Sequence, residues 1–206
     1  MRSADLDGDG DMDIVSASWS DNKISWFQNQ NGIFQRPTTI SSSALRATSV
    51  HCADLNNDGD IDILSASSID HKIAWYGNDG SGNFSDENTI SLDFHSAQSV
   101  FASDLNNDGY IDIIAASAGY DKIAWFQNYG DGNFSNEIIV STNANHAVDV
   151  FAADLDGDGD QDILSASSND NKVAWYENYG DGNFSNEMII SSTTQSAQSV
   201  YASDLN

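Results

Sequence analysis

The chain has 206 residues, 39% of them hydrophobic, with 32 Asp and Glu against 7 Lys and Arg and a formal net charge of −25. Such a surface repels nucleic acid and anionic membrane headgroups, while 5 Trp, 7 Tyr and 9 Phe set the chain apart from a disordered acidic tail. The single cysteine, Cys52, leaves no intrachain disulfide framework and reads as a small buried hydrophobe; no stretch approaches the ~18 apolar residues of a membrane span.

In chain order, Met1-Arg-Ser-Ala4 lacks the apolar core of a signal peptide. It leads into an acidic nine-residue loop, Asp5-Leu-Asp-Gly-Asp-Gly-Asp-Met-Asp13. The loop returns as Asp54-Leu-Asn-Asn-Asp-Gly-Asp-Ile-Asp62, Asp104-Leu-Asn-Asn-Asp-Gly-Tyr-Ile-Asp112 and Asp154-Leu-Asp-Gly-Asp-Gly-Asp-Gln-Asp162, with starts 49, 50 and 50 residues apart. Seventeen of the acids lie in these four loops, so the charge is organised.

Other marks recur in step. An aromatic pair returns as Trp26-Phe27, Trp75-Tyr76, Trp125-Phe126 and Trp175-Tyr176. A turn returns as Gly80-Ser-Gly-Asn-Phe84, Gly130-Asp-Gly-Asn-Phe134 and Gly180-Asp-Gly-Asn-Phe184, shortened in the first repeat to Asn31-Gly-Ile-Phe34. In the last full repeat four strand-like runs stand between turn residues: Val148–Ala153, Asp162–Ser167, Lys172–Glu177 and Phe184–Ser191. Small residues mark the second of these in every copy (Ser16-Ala-Ser18, Ser65-Ala-Ser67, Ala115-Ala-Ser117, Ser165-Ala-Ser167), as a strand near a crowded axis requires. No segment shows helical apolar spacing. Four strands per ~50-residue repeat predict an all-β fold, a β-propeller of four four-stranded blades, as a closed ring or part of a larger one. The expected organisation is one repeat domain over 1–206, with blades near 5–53, 54–103, 104–153 and 154–203. Residues 199–206 are expected to form a strand that starts a fifth repeat or closes the ring.

The loop follows D-x-[DN]-x-D-G-x-x-D, an oxygen-only donor set with a glycine at position 6 for a sharp turn. Position 1 is Asp5, Asp54, Asp104 and Asp154; position 3 is Asp7, Asn56, Asn106 and Asp156; position 5 is Asp9, Asp58, Asp108 and Asp158. Position 9 is Asp13, Asp62, Asp112 and Asp162. Position 7 drifts among Asp11, Asp60, Tyr110 and Asp160, which suits a site using only the backbone carbonyl there. Ca²⁺ takes six to eight such oxygens at ~2.3–2.6 Å with irregular geometry, whereas Mg²⁺ prefers octahedral sites rich in water. An EF-hand would need a Glu at position 12, where this chain has Ser16, Ser65, Ala115 and Ser165. About four Ca²⁺ ions, one per repeat, are therefore expected. A solvated acidic turn without metal fits less well, because ligand types persist at positions 1, 3, 5 and 9 while position 7 varies.

The loop, its following strand and the Gly-Asn-Phe turn resemble the FG-GAP (integrin α-chain-like) repeat family, also described as VCBS-type repeats. The run Asp162-Ile-Leu-Ser-Ala-Ser-Ser168 leading into Lys172-Val-Ala-Trp-Tyr-Glu-Asn178 is similar to secreted bacterial members. The resemblance covers essentially the whole chain and implies propeller blades with calcium in the loop between the first two strands. Integrin-type propellers have seven blades; four are counted here. A longer repeat array, or a homodimer making eight blades, would satisfy the open edges.

Nothing marks a catalytic centre. The loops use most of the clustered Asp, and Glu87, Glu137 and Glu187 share one repeat position, as structural residues do. His51, His71, His95 and His146 form no metal or triad spacing; His95 and His146 read as exposed loop residues. Trp19 and Arg46 are the clearest departures from the repeat, Trp19 as a candidate sugar-stacking platform. The expected function is a calcium-stabilised, non-catalytic, extracellular or cell-surface module for adhesion to protein or polysaccharide, its signal peptide lost with a missing N-terminal region. The alternatives are a non-catalytic segment of a larger secreted polysaccharide-degrading enzyme and a structural cell-surface spacer.

Overall fold

The structure, a computed structural model, describes residues 1–204. Every element is a strand, with no helix among the described residues. The first repeat contains β1 (Arg2–Ala4), β2 (Asp13–Ser18), β3 (Lys23–Phe27), β4 (Asn29–Gln30), β5 (Ile33–Phe34) and β6 (Thr38–Ser41). The second contains β7 (Ala47–Ala53), β8 (Asp62–Ser67), β9 (Lys72–Tyr76) and β10 (Asn88–Ser91). The third contains β11 (Ala97–Ser103), β12 (Asp112–Ser117), β13 (Lys122–Phe126) and β14 (Ile138–Ser141). The fourth contains β15 (Ala147–Ala153), β16 (Asp162–Ser167), β17 (Lys172–Tyr176) and β18 (Met188–Ser191).

Each repeat folds as one four-stranded antiparallel sheet in chain order, β1-β2-β3-β6 in the first; β4 and β5 form a separate hairpin. The chain divides into two compact units, residues 1–97 with 130–133 and residues 98–129 with 134 onward. Each unit has a core drawn from two repeats. In the first, Leu6, Val15, Ile24 and Trp26 pack with Val50, Ile63, Tyr76 and Phe84. In the second, the matching residues are Leu105, Ile114, Ile123, Trp125, Val150, Ile163, Tyr176 and Phe184.

The Ser-Ala-Ser strand is the second strand of its sheet, buried at every residue in β8, β12 and β16. Small side chains serve there because both faces are covered and a hydrogen-bonded strand lies on each side. The fourth strand is shorter than the sequence suggests: it begins at Met188, and Phe184 is held only by an isolated bridge to Asn178. Phe184 instead turns edge-on to Trp125, 6.4 Å between ring centroids. A register shift between Val173 and Ala174 then bends β18, and the same irregularity recurs in the other three sheets.

The strand expected over 199–206 does not form across its described part, residues 199–204; Leu205 and Asn206 lie outside the described residues. In the other repeats this strand pairs with the one that follows its acidic loop, as β7 does with β8. In the first sheet, the place beside β2 is held by β1.

Candidate metal centres

The acidic loop joins the first two strands of each sheet, for example β7 to β8. Its position-6 glycines, Gly10, Gly59, Gly109 and Gly159, have φ of 90°, 93°, 87° and 99°, the left-handed region that a side chain would strain. This turn folds the carboxylates inward, where they cap backbone N–H groups of their own loop. Gly59 N donates to Asp54 Oδ2 (2.9 Å), Asp58 N to Asn56 Oδ1 (3.0 Å) and Asp60 N to Asp58 Oδ1 (2.9 Å). The bond between positions 7 and 5 measures 2.9 Å in all four loops.

Position 9 is the frame. Asp13, Asp62, Asp112 and Asp162 are fully buried, and both oxygens of each accept a backbone N–H. Asp62 takes Leu55 N at 2.9 Å and Asn78 N at 2.8 Å; Asp162 takes Leu155 N at 2.9 Å and Asn178 N at 2.8 Å. Desolvation pushes Asp62 up to about 6 and Asp112 up to about 7, opposed by those N–H bonds and reinforced by the carboxylates at positions 5 and 1. Asp162 is raised chiefly by desolvation as well, here reinforced by the carboxylates at positions 3 and 5.

The remaining loop oxygens crowd together. Asp7 Oδ1 and Asp104 Oδ1 are buried without a hydrogen-bond partner, which is costly unless a cation meets them. Carboxylate oxygens of Asp5, Asp7 and Asp13 lie within 4.8 Å of one another, as do those of Asp154, Asp156 and Asp158. In the second and third loops position 3 is an amide, and Asn56 Oδ1 and Asn106 Oδ1 each accept from the N–H of position 5 at 3.0 Å. These clusters could hold a metal ion, and an all-oxygen set fits a hard one.

Position 7 behaves differently. Asp11 Oδ2 accepts from Asn31 N (2.6 Å) and Asp160 Oδ1 from Asn107 Nδ2 (2.7 Å), while the Asp60 carboxylate leans over Gly80. The Asp11 and Asp160 side chains are thus bonded to groups outside their own loops, and Tyr110 stands at the same position in the third loop.

Several contributors were invisible in the loop motif alone. Gln28 Nε2 donates to Asp7 Oδ2, and Gln127 Nε2 to Asp108 Oδ2 at 3.4 Å, but Gly77 and Glu177 stand there in the other copies. Asn78 Nδ2 donates to Leu6 O (2.7 Å) and Ile61 O (3.0 Å), tying one repeat's loop to its predecessor's; Asn178 does the same with Leu105 O and Gln161 O. That signal was available, since Asn recurs at 29, 78, 128 and 178. The Gly-Asn-Phe turn also explains its own glycine. A Cβ on Gly82, Gly132 or Gly182 would lie 2.4–2.6 Å from the ring of Trp26, Trp75 or Trp125.

Away from the loops, the off-repeat residues pair with one another or with the frame. The Arg46 guanidinium lies 4.2 Å from the Trp19 ring centroid, so one face of the proposed sugar platform is taken. His51 occupies the repeat position of Phe101, Phe151 and Tyr201; burial, then nearby Arg2, lowers it to about 4. His95 is exposed and stacks on His71 at 4.1 Å, while His146 is half-buried and bonded to Ser168. Cys52 packs against the core, its thiol pushed up to about 12 by burial. Glu87, Glu137 and Glu187 form ion pairs with Lys72, Lys122 and Lys172 at 2.8, 2.6 and 2.7 Å.

The chain belongs to the FG-GAP-like repeat family, whose repeat profile matches residues 5–65, 54–115, 104–165 and 154–206. No curated protein sequence matches it. Among solved structures it is similar to an Agrocybe aegerita lectin specific for non-reducing terminal N-acetylglucosamine, at 23% identity and TM-score 0.66 over 94% of this chain. It is also similar to the V. cholerae biofilm matrix protein Bap1, at 23% identity and TM-score 0.59 over 96% of this chain. A third likeness is to the NanB sialidase of Streptococcus pneumoniae, at 12% identity and TM-score 0.50 over 79% of this chain. The chain spans 52%, 29% and 27% of these three, and at such identities the likeness is one of fold.

Proposed function

We propose that this chain is a calcium-stabilised, extracellular, non-catalytic β-propeller module that binds polysaccharide or protein. The four sheets are its blades, near 5–53, 54–103, 104–153 and 154–203. The observation that carries the reading is the fourfold acidic loop, with carboxylate oxygens of Asp7 and Asp104 buried and unpartnered. Calcium would be held by the oxygens at positions 1, 3 and 5, the carbonyl at position 7 and the spare lone pairs of position 9. Bound there, it would neutralise the crowded carboxylates and fix each β-hairpin. The buried frame holds the donors in place whether or not an ion is present.

An extracellular setting is supported by two fold relatives, a lectin and a biofilm matrix protein, and by the millimolar calcium available to extracellular modules. Binding rather than catalysis is supported by the way the repeated Glu residues are spent on ion pairs with lysine. Thermal melts with and without chelator, alongside a glycan and protein panel, test the reading. Calcium at 100 times Kd should add about 2.7 kcal/mol per site. An unchanged melt with chelator would remove the calcium assignment, and no ligand on any panel would leave only a spacer.

A further inference from the structure

Two equivalent places, one in each unit, differ at position 4 of the earlier loop (Gly8 against Asn107) and at position 8 of the later one (Ile61 against Gln161). In the second unit Asn107, at position 4 of its loop, donates from Nδ2 to Asp160 Oδ1 (2.7 Å) and to Gly180 O (3.3 Å). Gly180 N in turn donates to Asn178 Oδ1 at 3.1 Å, so the acceptors there are satisfied by the protein. In the first unit position 4 is Gly8. The corresponding place opens as a cleft of about 290 Å³, lined by Asp5, Gly8, Asp60, Ile61, Asn78 and Gly80. Among the described residues no protein donor reaches the Asp60 carboxylate. Asn78, only 4% exposed, has an Oδ1 with no hydrogen-bond partner.

We propose that this cleft binds a primary ammonium group of a ligand, in the place that the Asn107 nitrogen holds in the other unit. The functional side-chain and carbonyl groups around it are acceptors, so the occupant must donate. Asn107 in the second unit shows which atom fits: a nitrogen giving one hydrogen bond to the position-7 carboxylate and one to the turn carbonyl. Asp60 lines the cleft with no Lys or Arg beside it, while Asp5 belongs to the acidic loop and accepts from Gly8 N and Gly10 N; the Asp60 charge favours a charged nitrogen over a hydroxyl. Charge-assisted hydrogen bonds are roughly twice as strong as neutral ones. With Asp5 committed to its own loop, Asp60 and the Gly80 carbonyl are too few for a second hard metal ion seeking six or more oxygens. The site rests on the binding-module reading, to which it adds the chemistry of one ligand group. That group could sit on a hexosamine or on a lysine side chain.

Amide chemical shifts of the calcium-loaded, isotope-labelled chain, titrated separately with glucosamine, Nα-acetyl-lysine and N-acetylglucosamine, test it. At least one amine should shift Gly8, Asp60 and Gly80, and whichever amine does so identifies the source. N-acetylglucosamine, which lacks the charge, should bind there at least ten-fold more weakly. Gly8→Asn supplies the repeat's own amide and should weaken amine binding at least ten-fold. Asn is at home in this turn, since Asn57 and Asn107 hold φ of 60° and 58° at the same position. Asn107→Gly should create a second set of amine-dependent shifts at Asp160 and Gly180, which decides the matter if Gly8→Asn fails to fold. No shift with either amine, equal binding of the neutral sugar, or shifts indifferent to both substitutions would overturn the proposal. N-acetylglucosamine binding elsewhere, with no amine effect in the cleft, overturns this site alone. A melt insensitive to chelator overturns the calcium reading and leaves the cleft standing.

Discussion

At one end of β16 lies the loop Asp154–Asp162, and at the other end Lys172 sits with Asp170 and Glu187. The loop gathers charge of one sign on an exposed surface, with no cationic side chain among its hydrogen-bond partners. The lysine end is nearly closed to solvent and balanced internally. Lys172 Nζ lies 3.1 Å from Asp170 and 2.7 Å from Glu187, donates to Asn143 O, and is 9% exposed. Desolvation alone would lower the Lys172 pKa, yet its two carboxylate partners raise it on balance. One strand therefore joins two solutions to the same electrostatic problem. The lysine end carries its counterion in the sequence, and the loop end has none among its hydrogen-bond partners.

The largest single-residue effect should come from breaking the internal solution. Lys172→Met should cost about 3 kcal/mol, because it leaves two partly buried carboxylates unpaired. Chemical denaturation measures it, and a loss below about 1 kcal/mol would place this end on the same footing as an exposed pair. Gly182→Ala should follow at about 1–3 kcal/mol. Its Cβ would lie 2.5 Å from the Trp125 ring on a backbone at φ 75°, and a repeat without that approach would tolerate the change.

The pH dependence of the metal-free chain sharpens the contrast further. Asp62 and Asp112 have folded pKa values raised to about 6 and about 7, so the folded state holds their protons longer than the unfolded chain. Between roughly pH 4 and 7 their contribution to stability falls as pH rises. His51, lowered to about 4, acts in the opposite direction over part of that window, because the unfolded chain binds its proton more readily. Melting temperature in chelator should therefore fall from pH 4.5 to 7, and fall more steeply in His51→Phe, the residue type found at the equivalent 101 and 151. A rise in both proteins would contradict the carboxylate account. Calcium should flatten the profile by holding the loop ionised.

The smallest effect belongs to the first repeat. Lys23, the counterpart of Lys172, is 41% exposed and pairs with Asp21 at 3.4 Å. Pro37 stands where the later repeats place a Glu before the outer strand. Lys23→Met should cost less than about 1 kcal/mol. A loss equal to that at Lys172 would mean that burial is not what makes the later pairs matter.

The period, the four-stranded repeat and the loop donors could be read from the sequence because each is local. Asp154, Asp156 and Asp158 fall within five residues, and one sharp glycine turn suffices to gather them. What could not be read is how each carboxylate is spent. Asp162 is framed by Leu155 N and Asn178 N, seven and sixteen residues away, and only the folded hairpin joins them. Asp160 has the composition of a ligand, yet its side chain is drawn to Asn107 from the preceding repeat. The outer strand is shorter than its composition suggests because Phe184, a residue of strand propensity, has its ring against Trp125. His51 stands one period before Phe101, so its burial is legible in the repeat itself.

The central claim is that the loop's countercharge is an ion from solution, and a direct count of bound metal tests it. Chain dialysed against calcium-containing buffer at pH 7.5, then freed of loose ions, should carry close to four calcium per molecule by elemental analysis. Replacing Asp154, Asp156 and Asp158 together with Asn should lower the count by one. A count near zero in the unaltered chain would contradict the account and return the four loops to solvated acidic turns.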